Sequence, residues 1–344
     1  MKLRDFILRR LILAIPVIFG VLTITWFLSY VVGDPLAMYV TERTPDSAIP
    51  GIMLKYGLNR PPVEQYFIYL VNLFSGDWGK STSTGADQPV LVILARLFPA
   101  TIELAIVAMV VAITLGIPLG IISATKKDKV QDHITRIFAL SGVSMPIFWF
   151  GLMLKLLFFY QFSQWGLPYL PGGDRYNIRI YNYTPTTGFL LVDSLIFDQN
   201  IRLFGDALTH LIMPGFCLGY ITLAIITRMM RSSMLEVIKE DYITLARSKG
   251  LSERIVIYRH ALRNALIPTV TVIGLAFGGL ITGAVLTESI FNWPGLGRWA
   301  TRAILNSDMA AINGFTLLVA FIFVTANFLV DMVYGVLDPR IRFG

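Results

Sequence analysis

The chain has 344 residues, 55% of them apolar and 15% charged, with a mean hydropathy of +0.65. Soluble domains carry about 25% charged residues, so this balance excludes an ordinary soluble fold and indicates a membrane protein. The single Cys217 excludes an intrachain disulfide and leaves no zinc-type or redox spacing, and the formal charge of +7 has to be read from where it lies.

Met1–Arg10 is short and basic, and Leu11–Val32 is then free of charge and long enough for the ~20 residues of a spanning helix. A cleaved signal peptide needs an apolar region of about 7–15 residues and a small-residue cleavage site. Neither is present, so residues 1–32 read as an uncleaved first span, with Arg9-Arg10 as a twin-arginine signal the weaker alternative. Residues 33–96 form a large polar segment opened by Gly33-Asp34-Pro35, with a short helix expected at Val63–Leu73. The second span is Phe98–Ser123, with Glu103 in its first turns, and Lys126 to Lys129 makes a basic turn. Ile134–Phe162 is the third span, where Pro146 removes a backbone hydrogen bond and predicts a kink. A second polar loop over 163–207 leads to the fourth span, Leu208–Met230. After a polar stretch at 231–264 come the fifth span, Ala265–Phe291, and a short loop at Asn292–Ala310. Ala311–Val336 is the sixth span and 337–344 a brief tail. The glycines of the fifth span, Gly274, Gly278, Gly279 and Gly283, predict close helix approach there.

With the N-terminus in the cytoplasm, 18 Lys and Arg fall on that side against 10 on the other, where the loops are longer. The positive-inside rule therefore puts both termini in the cytoplasm, a parity that six spans satisfy. The charge is a topology signal, and no base-stacking module accompanies it, so nucleic acid is not a partner.

The stretch 231–264 is the most patterned polar segment. Tyr242, Leu245, Ala246 and Lys249 share one face of a helix over Asp241–Lys249, with Glu240 and Asp241 at its start and Gly250 as its C-terminal cap. Ser252 is placed to cap a second helix with Ile255, Val256, Ala261 and Leu262 apolar. An amphipathic hairpin lying on lipid is the alternative. The acids at the helix start and the small Ala246-to-Gly250 corner fit protein contact better.

This stretch, followed by His260 to Asn264 and Pro268, resembles the coupling motif of ABC-importer permeases of the dipeptide/oligopeptide/nickel branch. Arg9-Arg10-Leu11, Gly33-Asp34-Pro35, Tyr56 to Pro61, Gln65-Tyr66 and Gly76 to Gly79 resemble the family's N-terminal region. Thr187-Gly188, Asp193-Ser194, His210 to Pro214, Arg231 to Leu235, Thr282-Gly283, Glu288, Phe291 to Gly297 and Asp338 to Ile341 continue the resemblance along nearly the whole chain. Asp241 departs from the Glu-Ala-Ala slot of the broader motif. The resemblance implies an all-α polytopic protein of the type I importer fold, with the permease domain over 97–336 in the plasma (inner) membrane. It implies a second homologous permease, two cytoplasmic ATPases carrying the ATP and Mg, and an extracytoplasmic solute-binding protein, for peptides or, alternatively, nickel chelates, glutathione or oligosaccharides. Glu240, Asp241, Tyr242, Leu245, Ala246, Arg247, Lys249 and Gly250 would engage an ATPase. Gly250 and Ala246 would let the loop seat closely, and Arg247 and Lys249 would make polar contacts.

The sequence holds no Gly-x-x-x-x-Gly-Lys-Ser/Thr phosphate loop, and no nucleophile–base pair or carboxylate dyad falls in one plausible site, so the chain itself is expected not to be an enzyme and to carry no cofactor. Of the ionisable residues in or near spans, Glu103 and Asp331 read as helix-end or interhelical contacts, and Lys155 either snorkels or pairs. Glu288 stands between such a contact and an extracytoplasmic gate. Met145-Pro146 and Met213-Pro214 read as packing kinks or as pathway residues, and Trp293 as an interfacial anchor. An ion-coupled secondary transporter is the rival class. It predicts internal repeats and mid-membrane acid relays, which the sequence does not display.

Overall fold

The computed structural model describes residues 3–40, 44–83 and 87–337. The Asp331 side chain and the Asp338 to Ile341 stretch lie outside the described residues, as do the side chains of Lys2, Arg4, Arg43, Arg340 and Arg342. The first helix, α1 (Leu3–Trp26), is prolonged by a π-helical turn at Phe27–Val32, and α2 (Ile49–Lys55) and α3 (Pro62–Phe74) follow. A two-residue antiparallel ladder, β1 (Lys80–Ser81) with β2 (Gln88–Pro89), leads directly into α4 (Val90–Thr125). Then come α5 (Val130–Ser144), α6 (Ile147–Lys155), α7 (Ile201–Val237), α8 (Asp241–Ser248), α9 (Leu262–Ile290), α10 (Leu296–Leu305) and α11 (Met309–Leu337).

Among the described residues five helices are long and apolar enough to cross a membrane, and α5 with α6 and its continuation to Gln164 makes a sixth if that bent pair is one span. At 1.5 Å per residue α4 is about 54 Å long and α7 slightly longer, well beyond a ~30 Å hydrocarbon layer, so both project at each end. The second span therefore starts at Val90, inside the stretch expected to be loop, and the fourth at Ile201.

The predicted kink at Pro146 is a break. Met145 has extended backbone (φ −86°, ψ 132°) and the flanking helices diverge by 110°. The Pro ring clashes with the preceding residue's helical conformation, which drives Met145 out of the helix. Pro214, buried beside Met213, is instead carried within the continuous α7.

The closest helix approach occurs between α4 and α7, while among the glycines of α9 Gly278 packs tightly, since a Cβ there would lie 3.2 Å from Phe323 of α11. A Cβ on Gly219 would meet the Ala108 carbonyl oxygen at 2.5 Å, and one on Gly120 would meet the Met230 side chain at 2.6 Å. In α9, Gly279 has nothing within 4 Å of such a Cβ, and Gly283 only Leu218 at 3.7 Å. The seam of Gly116, Gly120, Gly215 and Gly219 lets the two longest helices meet almost backbone to backbone.

Apolar clusters stack along the bundle. At one end Tyr30, Tyr69, Val90, Ile93, Leu296, Trp299, Ala303 and Ala311 pack the region after α1 against α10 and the start of α11. In the middle Leu104, Ala108, Leu211, Leu218, Ile281 and Trp293 join α4, α7 and α9. At the other, basic end, Ile121, Met230, Met234 and Ala265 surround the inner face of α8. The helix α10 occupies most of the Asn292–Ala310 stretch, in place of the expected short loop. Leu296, Trp299, Ala300 and Ala303 recur at i, i+3, i+4 and i+7 and all are buried.

A candidate coupling surface and the anchors of the opposite end

The helix α8 starts at Asp241, whose carboxylate falls in the first turn where acids favour the helix dipole. Glu240 is extended, and its carbonyl accepts from Ile243 N at 3.0 Å, with no bond from its side chain to the helix end. The helix exits at Gly250, with φ +77° and its N–H on the Arg247 carbonyl at 2.9 Å. Nothing lies within 4 Å of a Cβ built there, so the left-handed backbone is what requires glycine, rather than a tight seat.

The predicted face of α8 splits. Ala246 points inward with Ile243, which is fully buried against Met230, Met234, Val256 and Ala261. Tyr242, Leu245 and Lys249 are exposed, Leu245 by 56%. Ala246 thus seats the helix on its own domain, and the free face is Asp241, Tyr242, Leu245 and Lys249. Burial of Ile243 alone contributes about 1.5–3 kcal/mol to holding α8 in place. The stretch that follows starts at Ser252, which makes no side-chain cap bond, and winds through Glu253–Ala261 directly into α9, with Val256 and Ala261 inward.

Two polar ties fix the hairpin. Arg247 donates from Nη2 to Glu253 Oε1 at 2.8 Å and from Nε to Oε2 at 3.2 Å, and the neighbouring carboxylate raises the guanidinium's proton affinity. Both groups are well exposed, so the pair orients more than it stabilises. Asn264 Nδ2 donates to the Tyr242 hydroxyl at 2.7 Å, which fastens α8 to the first turn of α9. Behind it, Asp132 at the start of α5 is sealed from solvent. It accepts from Arg231 Nε and Nη2 at 2.9 Å each, from Ser123 Oγ at 2.5 Å and from Asp128 N at 3.0 Å. One carboxylate so joins α4, α5 and α7 just above the seat of α8.

At the opposite end Glu288 latches α9 to α4 and α10. Its side chain is 0% exposed. Oε1 accepts from Thr101 Oγ1 at 2.7 Å, and Oε2 accepts from Gly297 N at 2.7 Å and Arg298 N at 3.0 Å. It therefore caps the N-terminus of α10, while Thr101 accepts from Leu296 N at 2.8 Å. Gly295 is required by close approach, since a Cβ there would lie 2.3 Å from the Glu288 carboxylate. Trp293 is also fully buried and donates to the Ala100 carbonyl at 2.9 Å, so it is an internal wedge where an interfacial anchor was expected.

Other acids anchor loops in the same manner. Glu103 pairs with Arg175 at 2.5 Å and accepts from Leu191 N at 2.7 Å, which ties the second polar loop to α4. Asp193 accepts from Tyr183, Thr187 and the backbone of Thr186, Thr187 and Gly188, wrapping residues 183–188 around one carboxylate. Burial pushes the Asp193 carboxyl up, but the Thr187 and Tyr183 donors outweigh it and hold it below the usual range. Asp308 accepts from Ser81, Thr82 and Ser83 and, through its other oxygen, from Ala311 N, so it caps α11 and clamps β1. Asp308 directly before the apolar run of α11 carries a local N-cap signal, whereas its hold on β1, and the loop that Asp193 gathers, follow no periodic pattern. Lys155 donates to the Ile290 carbonyl at 3.0 Å, capping the end of α9. Met145, half-buried, and Pro146, exposed, lie at the break between α5 and α6.

Residues 116–343 match the family described as binding-protein-dependent transport system inner membrane component, and residues 3–105 match its N-terminal region. The chain is 45% identical to the di/tripeptide transport system permease protein DppB of Pseudomonas aeruginosa (strain UCBPP-PA14) over 340 residues, 98% of each chain. It is 44% identical to the dipeptide transport system permease protein DppB of Escherichia coli (strain K12), again over 98% of each. The oligopeptide transport system permease protein AppB of Bacillus subtilis (strain 168) is 32% identical over 98% of this chain and 99% of its own length.

Proposed function

From the premise that the chain belongs to the binding-protein-dependent transport system inner membrane components, we propose that it forms half of a peptide-conducting pore driven by separate ATPases. The observation that carries this is the exposed Asp241, Tyr242, Leu245 and Lys249 face on a helix otherwise locked to its own bundle. The naming of full-length relatives as dipeptide and oligopeptide permeases supports the choice of cargo.

In this reading the basic end is cytoplasmic, both termini lie there, and residues 33–96 with α10 face the other side. An ATPase receives α8 in a groove, and its closure on ATP pushes the exposed face. Ile243 and Ala246 pass the displacement to α7 and the start of α9, and Asn264 keeps the angle between α8 and α9. The α4–α7 seam is too tight to slip, so these helices move as one body and reorient the pore. Gly250 and the Arg247–Glu253 pair set the hairpin's shape, while Asp241, Tyr242, Leu245 and Lys249 make the contact. A second permease completes the pore, and a solute-binding protein delivers the peptide to the Asp308- and Glu288-anchored end. Met145 and Pro146 supply a flexible joint between α5 and α6 during reorientation.

Affinity purification of the tagged chain from native membranes tests the assembly. Two ATPase subunits and a second permease co-purify, and substituting Leu245→Asp removes the ATPases while leaving the second permease. Purification of the chain alone, or ATPase retention in the Leu245→Asp variant, contradicts it.

A further inference from the structure

Between α4, α5 and α7 at the basic end lies a cavity of about 660 Å³. Its lining places the cations Arg136 and Arg228 beside the apolar Ile137, Leu140 and Val143. Among the described residues Arg228 has no acceptor within reach, and Arg136 meets only His133 Nδ1, at 3.2 Å. Arg231 also lines the cavity, but Asp132 already occupies it, and that buried carboxylate is saturated by its own donors. The cavity thus has unneutralised positive charge and no free acid. Ile137 and Leu140 are 70% and 66% exposed on the outer side of α5, where the chain would meet hydrocarbon.

The geometry points to a binding site for an anionic phospholipid, its phosphate between Arg136 and Arg228 and its acyl chains over Ile137, Leu140 and Val143. Three considerations favour this occupant. Cations directly beside apolar side chains match the two halves of an acidic amphiphile, and basic pockets between spanning helices are suited to such headgroups. A protein partner would have to bring its own acids to Arg136 and Arg228, since the cavity offers no free one, and desolvating such pairs is costly. The volume takes a glycerophosphate headgroup but not a whole lipid, so the chains leave along the exposed face of α5. A lipid here bridges α5 to α7 beside the Asp132–Arg231 tie, and its removal would loosen α5 without touching α8.

The test uses the whole transporter complex, equilibrated in nanodiscs of equal parts phosphatidylglycerol and phosphatidylethanolamine, then released and weighed by native mass spectrometry. The wild-type complex retains phosphatidylglycerol in preference to phosphatidylethanolamine, and millimolar inorganic phosphate does not displace it. Arg136→Gln and Arg228→Gln each lower the preference roughly five-fold, since each removes one lipid-facing cation. Arg228→Lys keeps most of it, and Leu140→Trp, which fills the apolar part of the lining, lowers retention with both arginines intact. Retention at the bulk lipid ratio, or no response to the double arginine variant, overturns the proposal. So does displacement by inorganic phosphate alone, which would make the site one for a free anion. A benzophenone-bearing residue placed at Leu140 that captures the second permease instead of phospholipid also overturns it.

Discussion

Arg231 grips Asp132 through two hydrogen bonds of 2.9 Å, and the carboxylate they enclose has no exposure to solvent. Removing one partner leaves a buried charge, which costs far more than the pair contributes. Arg231→Ala is expected to destabilise the protein by about 3–5 kcal/mol, read as a lowered melting temperature of the purified complex. The double variant Asp132→Asn with Arg231→Gln is expected to lose much less, because no unpaired charge is left.

The two faces of α8 give opposite outcomes to the same chemical change. Ile243→Asp puts a carboxylate into a sealed apolar cluster and is expected to cost about 3 kcal/mol or more in stability. Leu245→Asp, on the exposed face, leaves the melting temperature unchanged and abolishes transport-coupled ATP hydrolysis. Parallel melting and ATPase measurements on the two variants separate a packing role from a docking role.

Glycine is needed on α7 and not on the outer face of α9. Gly219→Ala forces a methyl group to within 2.5 Å of the Ala108 carbonyl oxygen. Such overpacking costs about 1–3 kcal/mol. Gly279→Ala meets nothing within 4 Å and is expected to leave stability unchanged or slightly raised, through the better helix propensity of alanine. Thermal unfolding of both variants in the same detergent checks the contrast.

What the sequence made legible was whatever repeats with a period or obeys a local rule. Six apolar stretches, the helix at Pro62–Phe74, the helix at Asp241–Ser248 and the turn at Gly250 all follow from hydrophobic spacing and backbone preference. The rule for residues preceding proline was available at Met145, but Pro214 obeys it so differently that only the packing around each proline decides between break and continuation. Ala246 leaves the face expected for docking and turns inward with Ile243, whose burial among polar neighbours depends on the distant Met230 and Met234. Leu296, Trp299, Ala300 and Ala303 did carry a helical period, and α10 could have been read from it. Glu103, Glu288 and Asp308 also hold partners 72, 187 and 227 residues away (Arg175, Thr101 and Ser81), and no local pattern encodes those long-range ties.

Acid is expected to loosen the second polar loop by protonating Asp193. The Asp193 carboxyl is held below its ordinary value of about 3.9. Its contribution is therefore complete above that value and disappears as pH falls through the lower folded-state one. The stability gap between wild type and Asp193→Asn is expected to be constant near neutrality and to narrow below about pH 4. Denaturation of both proteins across that range checks it, and a gap that widens in acid would reverse the sign.

We propose ATP-driven peptide import through a pore of which this chain is half. Its most direct test is uptake of a labelled dipeptide into proteoliposomes containing the chain, the second permease and the ATPases, with the solute-binding protein outside and ATP inside. Accumulation is expected to require both ATP and the binding protein and to be lost in Leu245→Asp. Uptake driven by a proton or sodium gradient without ATP would contradict it, as would import of a nickel chelate, glutathione or an oligosaccharide with no import of peptide.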